Sequence, residues 1–525
     1  MCFSKTKNFK KRNIINFFKQ KDIKTAFTAI YFSFLTVYLI FRDVVPLYFL
    51  IKSPIISVLI FAAGFVLIVW DLLGEANCIK GRPADFFAAF IIISVISSIV
   101  NYKYGIASNL KCIAAMVLQY FVFFSVGSAN NKNKILKTIL NTVIVTGFIL
   151  VFCSVLMYIF SIDYSVVAPQ NSSLDQGFDN TWGRLWGVFY DPNSASYISL
   201  VSFFASFYLM HSYKKVWAYV LYTINALFQM MFIVLTVSRS APIIMIVMPI
   251  LSAIYPFLAF YKTNIKKAIC SVLAIITVSG VIFGLYQALD FSMPYVKYGV
   301  LKAVGVNGRE VVVSAFDDFY TSTGTIIKNI DSNHIYLDNS QTQETPTPSD
   351  ENEHLNFDIQ QIKRNDKKQD ITNGRILRWQ GGIEVFKTSP ILGTSPRNTI
   401  AMAKDRTPDT VMGKYGWITH CSYLEVLVNT GILGVLALYS AFITIAVLFI
   451  KSSMKKPFNY NTYIVFLSFL TVAAGAFFIS DVFFVFSINS LLFIYMLGYL
   501  YGNTEHKDNS VLFKVFSSLK RRFVK

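Results

Sequence analysis

Twelve apolar runs dominate this chain, and each approaches the length a helix needs to cross about 30 Å of hydrocarbon. They lie at 26–41, 54–70, 86–100, 112–127, 139–160, 194–210, 216–237, 240–260, 268–289, 431–450, 462–480 and 482–500, the shortest needing flanking residues to reach across. Hydrocarbon offers no hydrogen-bond partner, so a spanning segment must satisfy its own backbone and reads as a helix. The predicted fold class is an all-α polytopic membrane protein with about 12 transmembrane helices and one large extracytoplasmic loop. Composition excludes the soluble alternative. Of 525 residues, 54% are hydrophobic and only 15% are charged, against about 25% in an ordinary soluble domain.

Threading the chain back and forth gives an orientation. The first run follows a basic stretch (Lys5, Lys7, Lys10, Lys11, Arg12) but no small-residue cleavage site follows it, so it reads as an uncleaved span. With the N-terminus in the cytoplasm, the inside segments hold 27 Lys and Arg. The short outside loops hold six (Arg42, Lys52, Lys103, Lys111, Arg184, Arg239), and 15 lie in one long segment. That asymmetry follows the positive-inside rule. The expected organisation is a basic cytoplasmic N-terminus at 1–25, helices one to nine over 26–290 and a large outer loop at 291–419. Helices ten to twelve over 420–502 and a basic cytoplasmic tail at 503–525 complete it. The net charge of +19 is then a topology signal with an attraction to anionic membrane lipids, and no nucleic-acid partner is expected. The six cysteines (Cys2, Cys78, Cys112, Cys153, Cys270, Cys421) have no metal-type spacing.

None of the runs contains Asp, Glu, Lys, Arg or His. Ion-coupled transporters usually carry ionisable groups at membrane depth, so a transporter is disfavoured and charge able to do chemistry belongs to the outer loops. Within the long loop, 331–372 has 32 charged, Ser, Thr, Asn, Gln or Pro residues among 42. It reads as a disordered insertion in which His334 and His354 are solvated bystanders. Helical periodicity returns at GRILRWQGGIEVFKTSP, where Ile376, Trp379, Ile383 and Phe386 recur. Thr372 is placed to cap this helix and Pro390 lies beyond its end. The pattern fits a helix on the membrane surface.

Four outer segments carry polar groups suited to a lipid-linked anion. They are WGRLWGVFYDPNSAS with Arg184, Asp191 and Asn193, VSRSAP with Arg239 in a tight turn, the helix with Arg375 and Arg378, and WITHCSYLEVLVNTGILG with His420 and Glu425. A single outer-loop Arg is commonly an interfacial anchor, a His at a helix start commonly a cap, and Asp-Pro-Asn commonly a turn. Their convergence on one side favours a site. Arginine forks bind phosphate oxygens, and His can transfer protons near neutral pH. Glu425, five residues after His420, does not share its helix face.

At these residues the chain resembles the O-antigen ligase/polymerase family of bacterial membrane glycosyltransferases. GRLWGVFYDPNSAS, LTVSRSAP, GRILRWQGGIEVFKTSPILG and HCSYLEVLVNTGILG match in order around one large loop, over roughly 180–450. The chain departs from the family in its polar insertion and at Thr394-Ser395-Pro396, where a Gly-rich turn is more usual. The resemblance implies a type C glycosyltransferase fold in a bacterial cytoplasmic membrane and a polyprenyl-diphosphate-linked oligosaccharide as substrate. It implies no nucleotide sugar, metal or other cofactor, and Asp317-Asp318 reads as solvated. Arg184 and Arg239 then bind the diphosphate with Arg375 as a third clamp. Arg378, Asp191 and Asn193 complete the substrate site, and His420 activates the acceptor hydroxyl. A surface or capsular polysaccharide polymerase is favoured, because a composition rich in Phe, Ile, Lys and Asn fits low-GC bacteria. Ligase-type transfer to a lipid, wall or protein acceptor remains open, as does a flippase or other transporter. A flippase and a chain-length regulator of the same pathway are the expected protein partners.

Overall fold

The computed structural model describes residues 21–47, 53–167, 173–179, 183–304, 374–505 and 510–524. The insertion at 331–372, with His334, His354 and Thr372, lies outside the described residues, as does Asp317-Asp318. Nine long helices come first: α1 (Lys21–Phe41), α2 (Pro54–Leu73), α3 (Arg82–Val100), α4 (Ala107–Ser128), α5 (Lys132–Ile159), α6 (Pro192–Tyr213), α7 (Val216–Leu235), α8 (Ser240–Phe260) and α9 (Ile265–Val304). Three short helices follow: α10 (Arg375–Lys387), α11 (Thr399–Arg406) and α12 (Val411–Tyr415). The bundle is completed by α13 (Ser422–Ser453), α14 (Tyr460–Gly475) and α15 (Ile488–Tyr501), and α16 (Val511–Val524) lies beyond it. Every predicted run thus coincides, wholly or in large part, with a helix.

Among the described residues, nine helices are long and apolar enough to cross a membrane: α1 to α5, α7 to α9 and α13. Two further apolar helices, α14 and α15, are shorter. The chain is a multi-pass membrane protein. Every residue of α15 is buried, so the bundle closes around it, with rings such as Phe32 and Tyr495 meeting edge-on at 5.7 Å. Alternation of direction gathers the connections into two poles. Of the described residues, the first pole comprises 42–47, 101–106, 160–167, 173–179, 183–191, 236–239, 374–421 and 476–487, and the second comprises 74–81, 129–131, 214–215, 261–264, 454–459 and 502–505.

Three features depart from the sequence reading. The connection between α5 and α6 folds into an antiparallel sheet of β1 (Asp163–Val167), β2 (Ser173–Asp179) and β3 (Arg184–Gly187) in that order, with a register shift at Gly177/Phe178. At 40 residues, α9 is about 60 Å long, twice the hydrocarbon thickness. It therefore continues past the boundary placed at 290, and Lys297 on its projecting end sits 4.5 Å from the Phe178 ring and 5.0 Å from that of Tyr158. The last two runs, placed at 462–480 and 482–500, both stop short of each other. Helix α14 ends at Gly475 and α15 begins at Ile488, leaving 476–487 as an irregular, mostly buried strap. Apolar character alone cannot separate a buried extended segment from a helix. Irregular backbone is stable at such depth only when protein groups satisfy it, and here they do. Gln119 Nε2 donates to Val485 O at 2.8 Å, Arg397 Nη2 to Phe484 O at 3.2 Å, Ser422 Oγ to Ile479 O at 2.7 Å, and Arg42 Nη1 to Phe486 O.

Candidate active site

The first half of the site is built by β3, the start of α6 and the turn between α7 and α8. Helix α6 opens with Asp191 as N-cap, its Oδ1 accepting from Asn193 N at 2.9 Å, and with Pro192 in its first turn. Arg184 on β3 donates from Nε to Thr236 O and from Nη2 to Asn193 Oδ1, both at 2.9 Å, and its guanidinium packs 5.4 Å from the Trp186 ring. Ser238 Oγ donates to the same Asn193 Oδ1 at 3.4 Å. Strand, cap and turn are therefore one hydrogen-bonded unit. Arg239 projects from this turn at the start of α8 and is exposed.

The second half is built by α10 and the Thr419-His420-Cys421 turn. Gly381 and Gly382 are buried in α10, and a Cβ on Gly382 would stand 2.9 Å from Thr419 Cγ2, so the glycine pair lets this helix close on the His420 turn. Arg378 lies 4.8 Å from the Trp417 ring, and Arg375 lies 5.0 Å from the ring of Phe478 in the strap. Ile376 and Ile383 remain exposed while Val385 is buried. The face that packs is thus the glycine face, and the predicted apolar stripe is only partly covered. Gly374, not Thr372, occupies the N-cap position of α10.

The two motifs carrying Arg375 and His420 are joined at a glycine crossing. Helix α13 breaks at Gly431 (φ 63°), where a Cβ would lie 2.3 Å from Ile391 O. Groups released by the break pair with the segment after α10. Thr394 N donates to Val428 O and Ser395 N to Asn429 O, each at 2.9 Å, and Ile432 N donates to Pro390 O at 2.9 Å. At 394–398 Ser395 adopts φ 73°, so it takes the left-handed conformation that a glycine would usually supply.

His420 is also left-handed, at φ 48°, a strain that persists only where the surroundings enforce it. Here Thr419 Oγ1 donates to Cys421 O and accepts from Cys421 N, and Ser422 N donates to Ala476 O at 2.8 Å and to Ile479 O at 2.9 Å. Cys421, not His420, is the N-cap of α13, and it makes no side-chain cap bond. Reading His420 as a helix cap therefore does not hold. Burial first, then the field of Arg378 and last that of Arg375, push its pKa down to about 4, against an upward pull from Asp191 that outweighs Arg375 alone. The imidazole is thus neutral near pH 7 and lies within the electrostatic reach of Arg375, Arg378 and Asp191.

The remaining charges at this pole were not foreseen as site residues. Asp43, after α1, has its pKa raised by burial, with Arg42 opposing and Asp191 adding to the shift. Asp481, in the strap, is pushed up to about 7 mainly by burial, with Asp43 and Asp191 contributing and the Asn489 hydrogen bond and Arg42 opposing. Several buried polar atoms here have no hydrogen bond: Arg378 Nε, Trp379 Nε1, Ser395 Oγ, Asp481 Oδ1 and Asn489 Oδ1. Such atoms are rare and call for an explanation. The sequence held one signal for Asp481, an acid in the single-residue gap between two apolar runs. Nothing in periodicity pointed to Asp43. Glu425 is half-buried in α13, with Thr419 Oγ1 donating to its Oε1 at 3.5 Å, so it supports the turn from beneath.

Residues 224–439 match the family model described as O-antigen ligase. The match includes Arg239, Arg375, Arg378, His420 and the Gly431 break, and leaves Arg184, Asp191 and Asp481 outside it. None of the curated proteins matches this chain.

Proposed function

We propose that this chain, which carries an O-antigen ligase family domain at 224–439, transfers glycan from a polyprenyl-diphosphate-linked oligosaccharide on the outer face of a bacterial cytoplasmic membrane. It polymerises the repeat units of a surface or capsular polysaccharide. The observation that supports this reading is that Arg375 and Arg378 act on a neutral, left-handed His420 at the same pole as the hydrogen-bonded unit of Arg184, Asn193 and the turn carrying Arg239. Transfer breaks the bond between the anomeric carbon and the diphosphate, whose negative charge grows as it leaves. Preorganised cations stabilise that charge. Arg239 and Arg184 take the diphosphate, the latter held in plane by Thr236 O and Asn193, and Arg375 adds a third contact.

The acceptor hydroxyl attacks the opposite face of the anomeric carbon and inverts it. His420 takes its proton as the bond forms. A base with a pKa of about 4 is weak at pH 7, but two of the causes of that low value are the fields of Arg378 and Arg375. An anionic diphosphate between those arginines offsets their fields and raises the proton affinity of the imidazole. The base thus strengthens when the donor is in place. Positive charge comes from side chains, so the reaction proceeds without a metal.

The family description favours a second reading, transfer of finished glycan to a different acceptor. One experiment separates them. Purified protein given a single lipid-linked repeat should yield a ladder of products differing by one repeat. Product only when a separate lipid, wall or protein acceptor is added would establish the ligase reading, and no transfer to either would refute both.

A further inference from the structure

The strap at 476–487 is fixed by side chains from four other elements and presents one acid, Asp481, beside the His420 turn. Ser422 makes the connection: its Oγ donates to Ile479 O at 2.7 Å and accepts from Val482 N at 3.3 Å, two residues beyond His420 in the chain. Within the strap, Ser487 Oγ donates to Asp481 O at 2.6 Å, so the backbone that carries the acid is rigid. The carboxylate itself is half satisfied. Oδ2 accepts from Asn489 Nδ2 at 2.8 Å, while Oδ1 is buried with no hydrogen-bond partner. A buried acceptor left unpaired destabilises the free protein, so a bound group that donates to it gains what the free protein forgoes.

The surrounding charge selects that group. Asp43, Asp191 and Arg42 act on Asp481, and Glu425 in α13 feels its charge in turn, so acids outnumber the guanidinium here. Phosphate oxygens carry no proton to donate and would be repelled here, whereas the arginines on β3 and α10 suit them. A sugar hydroxyl is uncharged and both donates and accepts, so it suits the carboxyl in either protonation state. The site thus divides into a cationic part for the diphosphate and an acidic part for a neutral polyol.

We infer that Asp481 binds the acceptor, its Oδ1 taking a hydrogen bond from a hydroxyl of the incoming sugar beside His420. This rests on the glycan-transfer reading above. The acid sets where the acceptor lies and takes no part in holding the donor, and Asn489 is its positioning residue.

The test is a titration of transfer by the purified full-length protein, with a single lipid-linked repeat as acceptor and a fixed lipid-linked oligomer as donor. Donor binding is measured separately. Asp481→Asn keeps the shape but must turn its one remaining oxygen to Asn489, so the apparent KM for acceptor should rise about ten- to hundredfold, with donor affinity within twofold of the parent. Asn489→Ala, which frees the carboxylate to rotate, should raise the same KM less and leave turnover at saturating acceptor intact. If Asp481→Asn does not fold, Asn489→Ala decides alone. An unchanged acceptor KM in both variants, or an equal loss of donor affinity, overturns the assignment. A parent protein that transfers nothing from a lipid-linked donor would instead refute the function beneath it.

Discussion

The two poles of the bundle are made from similar residues and finished in opposite ways. At the second pole, charges are paired and helix ends are closed. Lys24 Nζ meets Asp71 Oδ1 at 2.6 Å, and Lys132 Nζ donates to Gly502 O at 2.7 Å. The Asp85 carboxylate accepts from Ser510 Oγ and from the backbone of Val511 and Leu512 at the start of α16. Lys520 on α16 donates to Leu73 O at 2.9 Å at the end of α2. At the first pole, four left-handed residues with side chains (Ser161, Val237, Ser395, His420), against Ala76 and Lys214 at the second, stand near buried polar atoms with no partner such as Arg378 Nε and Asp481 Oδ1. A cavity of about 670 Å³ lies at the second pole, with Lys24, Asp71, Asn77 and Lys80 in its lining. Size therefore does not mark the chemistry. On the proposed function, the strained His420 and the unpaired Asp481 Oδ1 are features that a bound substrate would use.

The largest expected effects come from breaking the first pole. Arg239→Ala should reduce transfer by about 10²–10³-fold or more, with protein level near that of the parent. Lys at the same position should rescue only part, since an ammonium cannot make a forked phosphate contact. Arg184→Ala should match it in activity and also lower thermal stability, because it releases the bonds to Thr236 and Asn193. Gly431→Ala should fail more generally. Its side chain would meet Ile391 O at 2.3 Å in a left-handed backbone, so both folded yield and activity should fall in a quantitative membrane extraction.

The pH dependence sharpens the comparison further. The pKa of His420 is lowered to about 4 in the free protein, so the base form persists as pH falls and is lost only near that value. The acidic limb of kcat/KM, which reports the free enzyme, should fall near pH 4. The limb of kcat should lie higher, because bound diphosphate offsets the arginine fields. Coincident limbs would remove that coupling.

Smaller effects belong to the second pole. Lys24→Ala leaves Asp71 with the Cys78 N–H, which it accepts at 2.6 Å, and without its ion pair. Stability should drop by about 1–3 kcal/mol, while kcat and KM stay unchanged. A large loss of kcat with full stability would mean that the second pole takes part in catalysis. Smallest of all, deletion of 335–368, read from sequence as a polar insertion, should leave product length and rate within about twofold, a scale set by its disorder-like composition.

Much of this architecture was legible because hydrocarbon imposes one solution on long apolar runs, and the helices fall where those runs lie. Some of the motif residues also meet. Arg184, Asn193 and the turn carrying Arg239 share hydrogen bonds, and Arg375, Arg378 and Asp191 all act on His420. What escaped was whatever depends on contacts between distant segments. The strap reads as the ends of two spans because Phe483, Phe484 and Phe486 are as apolar as a helix core, and its extended form is held by distant side chains, among them Arg42, Cys112, Gln119, Arg397 and Ser422. The same holds for Asp43 and Asp481, each isolated in the sequence and brought into electrostatic contact by folding. Lys297 gave no signal of its contact with Phe178, since the sheet that carries this ring was not foreseen.

The account stands on His420 acting as a base and not as a support. Its most direct test is product formation by purified His420→Asn from a lipid-linked repeat, with donor binding measured in the same preparation. Asparagine tolerates the left-handed backbone at this position but cannot take the hydroxyl proton. The account predicts donor affinity near that of the parent and transfer reduced by about 10²–10⁴-fold. Near-normal product from His420→Asn would contradict it.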